Sequence, residues 1–541
     1  MPHNAHSEST TRTARQIVAV HEKLPAHNFD PIVSRQPVIV SVDQGTSATK
    51  AIVVNEAGAI IAKTSVSIGR ADPAPGWVEQ NATEIRDSVV QAINQVLNGL
   101  HVDVRGVGLS NQRESALLWD LVTGELVGPM LGWQDRRTSA RVGELAALGW
   151  QSVIREKTGL PLDPMFSALK VEWLLDKYDR DRSLARAGRL AVGTVDSWLV
   201  YSLTGEHRIE LGNASRTQLL NLHTLDWDGE LLDLFNVPRQ ALPRIAASSE
   251  PILEIRGIES LSAETKFYGV LGDSHSALYA HGARGSGSVK STYGSGNSIM
   301  GLIGGTDAFT LEGTVNRPAD GVVCTIAWGT PEPMYAFEGT ILSTGSTLVW
   351  LAGVLEMEPS RLSQMARLVD DSQGVDLVPA FAGLGAPWWD EQACAIISGF
   401  GLGTDRAHLA RAAFESLVLQ TEDVISAAER RLGTRIRDVL VDGGPTQNSW
   451  LMQLQTDLSQ REVIRSNTAE LSAIGVAHLA GIGSRLWSEQ DVANLPRDRT
   501  TFMPAIPERD AVERRVRWLN AIARSRFQTS SCATNVEGGL M

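Results

Sequence analysis

Two short turns in this chain have the residue types that could hold an anion. After the apolar run Val38, Ile39, Val40 comes Asp43-Gln44-Gly45-Thr46-Ser47-Ala48-Thr49-Lys50, and then Ala51-Ile52-Val53-Val54. Half a chain later Val289-Lys290 leads into Ser291-Thr292-Tyr293-Gly294-Ser295-Gly296-Asn297-Ser298, followed by Ile299-Met300-Gly301-Leu302-Ile303. Each reads as strand, tight glycine and hydroxyl turn, strand. Glycine in such a turn lets backbone N–H groups face an anion with no Cβ in the way, and hydroxyls add donors. Either copy alone is ordinary hairpin chemistry. Its recurrence, once per half, predicts a duplicated domain with a nucleotide between the halves.

Several charged residues stand where such a ligand would need them. Asp43 ends the first strand, beside its turn. A carboxylate there is repelled by phosphates unless a cation lies between, which implies Mg²⁺; an Asx turn capping its own backbone is the plainer alternative. Gly272-Asp273-Ser274-His275 follows the apolar Tyr268 to Leu271, so Asp273 could take a proton from a substrate hydroxyl. His275 reads as a structural hydrogen-bonding residue rather than a second base. Arg113-Glu114 sets a fork of donors beside an acceptor, which suits adjacent hydroxyls of a polyol, or else forms a surface ion pair of little energy. Trp133 could wall the carbon face of that ligand or simply be core. Asp442-Gly443-Gly444 before a helix offers unpaired N–H groups to a phosphate or ribose.

The elements that must position these groups alternate. Val104 to Leu109 precedes Ser110-Asn111-Gln112-Arg113-Glu114. Val439-Leu440-Val441 precedes Asp442-Gly443-Gly444-Pro445-Thr446-Gln447-Asn448 and a helical pattern over Ser449 to Leu458. From Thr404 to Leu432 apolar residues recur at helical spacing, with Thr404 or Asp405 as N-cap and Gly433 as C-cap. Strands alternating with helices predict α/β layers, with ligand residues in loops at the carboxyl ends of strands. At 541 residues the chain exceeds a single core, so two large domains are expected, meeting near residues 275–290. Hydrophobic residues make up 43% and charged residues 21%, ordinary for a globular protein. The formal charge of −13 argues against a nucleic-acid surface, but not against an anion held in a local nest of amides. Cys324, Cys394 and Cys532 are scattered and odd in number, which fits a reducing, cytoplasmic setting without disulfides or a cysteine metal site. No apolar run approaches the roughly 20 residues of a membrane span. Residues 1–35 lack the apolar core of a secretion signal and read as a flexible extension, and residues 527–541 read as a flexible tail.

Taken together, the motifs resemble the FGGY family of carbohydrate kinases, most closely its glycerol kinase branch. DQGTSATK at Asp43, PGWVEQ at Pro75, NQRES at Asn111, WQDRRT at Trp133, GTVDSWL at Gly193, NASRTQL at Asn213 and GDSHSAL at Gly272 occur in family order. TYGSG at Thr292, FEGT at Phe337, VPAFAGLGAPWWD at Val378 and VDGGPTQN at Val441 continue it, so the likeness runs from about Val38 to Trp487. The resemblance implies an α/β protein of two domains, over 36–280 and 281–526, with the duplicated actin/hexokinase-like (ribonuclease H-like) ATPase fold and an interdomain cleft. It implies ATP and Mg²⁺ as cofactors, with Asp273 as the general base. Arg113, Glu114 and Trp133 would be polyol contacts, and Asp43 with Asp273 would be metal-associated. Thr46 and Ser47 resemble the first phosphate loop, and Ser295 and Gly296 the second, with Gly345 nearby. Gly443, Gly444 and Asn448 are similar to the family's adenine-nucleotide residues.

Departures from the family pattern fall at the acceptor. Glycerol kinases usually carry Tyr where this chain has Met165, Gln where it has Ser274, and Phe where it has Ser298. All three changes remove a ring or an amide from the pocket, which leaves room for an acceptor larger than glycerol. Val349 also replaces a Gln usual near the nucleotide, and Pro251 to Lys266 lacks the Gly-rich basic loop used for sugar-bisphosphate regulation. The expected activity is ATP-dependent phosphorylation of a primary hydroxyl of glycerol or a slightly larger polyol or sugar; erythritol, xylitol and xylulose are the alternative acceptors. An actin- or Hsp70-like ATPase has no use for Arg113-Glu114 with Asp273, and a catalytically dead sugar-binding regulator has no use for Asp43, Asp273 and both turns. Nucleic acid and membrane insertion are not expected; homo-oligomerisation is left open.

Overall fold

The structure, a computed structural model, describes residues 35–283, 285–306 and 321–527. Apart from Arg35 and Phe527, the extension and tail read from the sequence lie outside those residues. The first half builds a five-stranded sheet from β1 (Gln36–Gln44), β2 (Ala48–Asn55), β3 (Ile60–Ser67), β4 (Val102–Asn111) and β5 (Phe267–Gly272), in the order β5-β4-β1-β2-β3. The second builds a seven-stranded sheet from β6 (Ser288–Tyr293), β7 (Asn297–Gly304), β8 (Val323–Gly329), β9 (Pro333–Ile341), β10 (Asp438–Asp442), β11 (Glu462–Ser466) and β12 (Arg499–Phe502). Its order is β8-β9-β7-β6-β10-β11-β12.

One plan underlies both sheets. An antiparallel hairpin (β1-β2, β6-β7) is extended by a third antiparallel strand (β3, β9), and two parallel strands (β4-β5, β10-β11) join on the hairpin's other side. The expected duplication is therefore visible strand by strand. Among the described residues no helix is long and apolar enough to cross a membrane.

Residue alternation explains how each sheet is covered. On β1 the side chains of Val38, Val40 and Val42 pack with Val89, Ala92 and Ile93 of helix α1 (Ala82–Leu97). Ile39 points the other way, with Ile52 and Val54 of β2. Both faces are buried, so the strand reads as a continuous apolar run; each of these side chains contributes about 1.5–3 kcal/mol relative to exposure.

The helices between the halves are exchanged. Helix α2 (Asp273–Ala280) follows β5 of the first sheet, yet Leu278 and Tyr279 pack on Met300, Leu302 and Leu440 of the second. The second half also contributes α3 (Gly345–Val354), α4 (Pro359–Ala366), α5 (Arg406–Leu432), α6 (Ser449–Ser459) and α7 (Leu471–Gly483). Helix α7 follows β11, yet Ala473, Ala477 and Ala480 pack on Ile39, Ile52 and Val54 of the first sheet. Helix α5 runs as its pattern predicts, with Asp405 as N-cap and Gly433 in the left-handed region as C-cap.

Where α2 and α7 touch, only a glycine fits. A Cβ on Gly475 would lie 1.8 Å from the Ser276 carbonyl oxygen, and the Ser276 hydroxyl donates to the Ser472 carbonyl. Gly475→Ala is expected to cost about 1–3 kcal/mol of stability by forcing these helices apart. A thermal melt matching the parent protein's would show that the contact can slide.

Candidate active site

The strand registers bring the two turns to corresponding places. In β1-β2, Asp43 lies opposite Lys50 and Gln44 opposite Thr49, and the Gly45 N–H donates to the Ala48 carbonyl at 3.0 Å across the turn. The Thr46 carbonyl accepts from Gln80 and its hydroxyl accepts the Trp133 indole N–H at 3.1 Å; Ser47 is exposed. Thr46, expected in the first phosphate loop, and Trp133, expected against the polyol, are thus directly bonded. Lys50 meets Glu470, which precedes α7, at 3.0 Å. That link between the halves has no local signal, because the partners are 420 residues apart.

In β6-β7 the Gly294 N–H donates to the Gly296 carbonyl at 2.7 Å. The start of α3 is zipped to this turn: the Thr344 and Ser346 N–H groups donate to the Ser295 carbonyl and the Gly345 N–H to the Gly294 carbonyl. Ser295, Gly296 and Gly345 therefore form one surface. Gly443 completes it at φ +99°, where a Cβ would lie 2.0 Å from the Tyr293 carbonyl oxygen, so no side chain is tolerated. Asn448 caps α6, its side-chain oxygen accepting from the Trp450 and Leu451 N–H groups, while its amide donates to Ser363 at 2.8 Å. A cavity of about 1040 Å³ opens here, lined by Ser295, Gly345, Gly444 and Asn448 on the polar side and by Leu348 and Phe414 among the apolar residues.

Between the turns lies a network of buried charges. Arg113 holds Glu338 with both terminal nitrogens, at 3.1 and 2.8 Å, and its Nε lies 3.2 Å from the Asp273 carboxylate. Arg216 bonds Glu114 through Nε at 2.6 Å and lies 2.9 Å from Glu338 through Nη1. Two guanidiniums thus serve three carboxylates. Burial alone would raise the Glu338 carboxyl, but the charges of Arg113 and Arg216 and the Arg113 hydrogen bond hold it well below the usual carboxylate range. Burial pushes His275, 3.3 Å from Arg113 Nη1, well below its usual value, and the Arg113 charge adds to that. Both effects favour the neutral imidazole.

Arg113 and Glu114 do not present a free fork and acceptor. Their terminal groups are largely spent on Glu338 and Arg216, and Glu114 takes φ 60°, rare for a side-chain-bearing residue and a sign of local strain. Glu338 and Arg216 were given no role from the sequence. The available signal was a lone carboxylate within the mostly apolar strand Pro333–Ile341.

Asp273 is the first residue of α2 and its side chain opens toward solvent, with 41% exposure. Enclosure by the surrounding protein raises its pKa; Arg113 opposes this and Glu114 adds to it. Asp43 accepts from the Ser110 hydroxyl at 3.0 Å. Burial first, and then the charge of Asp273, lift Asp43 to about 6. Lys290, buried on β6, lies within Coulombic range of Asp273, Asp442 and Glu338. The Ser298 hydroxyl lies 3.2 Å from Glu338, to which it donates, and 3.5 Å from the Ser274 hydroxyl. Met165 packs against Phe166, whose ring lies 5.2 Å from the Arg216 guanidinium. Asp43, Asp273, Ser274, Ser298, Arg113 and Glu114 are therefore one cluster, with a turn on each side. Such an arrangement can accept a proton at Asp273 beside anion-binding amides.

The model of the N-terminal domain of the FGGY family of carbohydrate kinases matches residues 38–279, and that of its C-terminal domain matches residues 300–484. The apulose kinase of Pectobacterium atrosepticum is 39% identical over 499 residues, covering 91% of this chain and 99% of that protein. The glycerol kinase of Symbiobacterium thermophilum is 39% identical over 500 residues, covering 90% and 98%. Among solved structures, that of Plasmodium falciparum glycerol kinase with ADP superposes with a TM-score of 0.84 at 27% identity, covering 91% of this chain and 99% of that one.

Proposed function

Because the chain belongs to the FGGY family of carbohydrate kinases, we propose that it transfers the γ-phosphoryl group of ATP to a primary hydroxyl of glycerol or a slightly larger polyol or sugar. Relatives named for glycerol and for apulose support an acceptor in this range. The observation that carries the reading is the convergence of both turns on Asp273. Asp43, two residues before the first turn, feels its charge, and Ser298, two residues beyond the second, lies 3.5 Å from the adjacent Ser274.

Asp273 accepts the proton of the attacking hydroxyl. The oxygen then bonds the γ-phosphorus as the bond to the β–γ bridging oxygen breaks, and ADP leaves with the electron pair. A raised pKa makes Asp273 a better proton acceptor, and the Arg113 guanidinium lies beside it, with Nε at 3.2 Å. The amides of both turns, with Thr46, Ser47, Ser295, Gly296 and Gly345, position the phosphates; Gly443, Gly444 and Asn448 border the nucleoside. Asp43 and Asp273 are the residues that would hold Mg²⁺, which neutralises phosphate charge when bound. Burial, and then the charge of Asp273, lift Asp43 to about 6, and a cation between the two carboxylates would offset that repulsion. We place the enzyme in the cytoplasm, where its donor ATP is available.

The test is ADP release in a coupled assay across glycerol, tetritols, pentitols and ketopentoses. Release that depends on an added alcohol is expected. ADP release indifferent to every one of them would refute the reading.

A further inference from the structure

The acceptor end of the cluster has more polar groups than a triol can use. Asp273 takes the reacting hydroxyl. Arg113 Nε and Glu114 stand next to it, where they can meet two more. Ser274 and Ser298 remain, their oxygens 3.5 Å apart, a separation at the limit of a direct hydrogen bond.

The bonding of Ser298 fixes what it can recognise. Glu338 takes two bonds from Arg113, lies 2.9 Å from Arg216, and takes a fourth contact from Ser298. An ionised carboxylate only accepts, so the Ser298 proton is committed to Glu338 and the Ser298 oxygen offers lone pairs alone. Ser274 is different: among the described residues its hydroxyl makes this one contact alone, and it can donate or accept. A ligand hydroxyl placed between them can donate to Ser298 and accept from Ser274. A carbonyl oxygen there satisfies Ser274 only.

Resting on the alcohol-kinase reading above, we infer that Ser274 and Ser298 form a subsite for one substrate hydroxyl beyond the three of a triol. The preferred acceptor is then a polyol of four or five carbons with a hydroxyl, not a carbonyl, at that position. Glu338 acts here as a positioning residue, since it orients Ser298 without touching substrate.

The test is kcat/KM by coupled ADP release for the parent protein, Ser298→Ala and Ser274→Ala, with glycerol, erythritol, threitol, ribitol and xylitol. At least one four- or five-carbon polyol is expected to exceed glycerol. Each variant is expected to cut that preference roughly 10- to 100-fold, the scale of discrimination lost when a site no longer hydrogen-bonds a substrate hydroxyl. Ser298→Ala also removes a bond from a buried carboxylate and could disturb folding. Ser274→Ala breaks only the 3.5 Å contact and keeps the test open. Glycerol preferred by the parent protein, or preferences unmoved by both variants, would overturn the subsite while leaving the kinase reading intact. Absence of transfer to every alcohol would overturn both.

Discussion

Asp273→Asn is expected to lower kcat about 10²- to 10⁴-fold, the usual contribution of a positioned general base, with the ATP dissociation constant little changed. Asparagine keeps the shape, and its side-chain oxygen can still accept the Ser274 N–H that bonds the Asp273 carboxylate at 2.6 Å. What it loses is the ability to take a proton. The surface built from Ser295, Gly345 and Gly443 depends on backbone bonds to which Asp273 does not contribute, so it should survive the change. Stability separates this role from a structural one. Asp273 now repels Asp43, so the neutral side chain should leave the protein as stable near pH 8, or more so. Such a loss of activity without loss of stability is the pattern of a residue kept for function. Single-turnover kinetics with pre-bound ATP would check it. A kcat near that of the parent protein would remove Asp273 from the base role.

The parts that were legible in the sequence have local causes. Helix α5 could be bounded because Asp405 and Gly433 are caps that act within one turn of the helix. Both hairpins could be read because Gly45 and Gly294 to Gly296 punctuate runs of β-branched and apolar residues. Asp43 and Asp273 could be singled out because each follows an apolar run. Other features depend on residues far apart in the chain. The exchange of α2 and α7 between the sheets follows from which apolar faces are left uncovered, and Leu278 has no sequence neighbour that reports Leu440 as its partner. Gly475 sits in a helix where its spacing says nothing of Ser276. The same holds for the Trp133 to Thr46 bond, 87 residues apart, which joins groups the motifs had assigned to different ligands. Arg113 and Glu114 could be singled out because the motif places them next to each other, while Glu338 and Arg216, 225 and 102 residues away, set how much of each is left for a ligand.

Glu338→Gln is expected to destabilise the protein by about 3–5 kcal/mol, the usual effect of removing one member of a buried charge network. Glu338 is 2% exposed. It neutralises Arg113 and Arg216, and glutamine would leave both guanidiniums facing an amide that also carries donors. The loss should depend on pH in a fixed direction. In the folded protein the Glu338 carboxyl is held well below its ordinary 4.5, so its contribution is fully present above about 4.5 and is lost as pH falls through the lower folded value. Urea titrations of the parent protein and the variant should therefore differ most from pH 6 to 8 and draw together below about pH 4. Activity should fall too, because Arg113 places its charge beside Asp273 and the Ser298 hydroxyl takes its direction from Glu338. A stability gap constant from pH 3 to 8 would mean that volume and packing, not the charge of Glu338, hold this part of the cleft together.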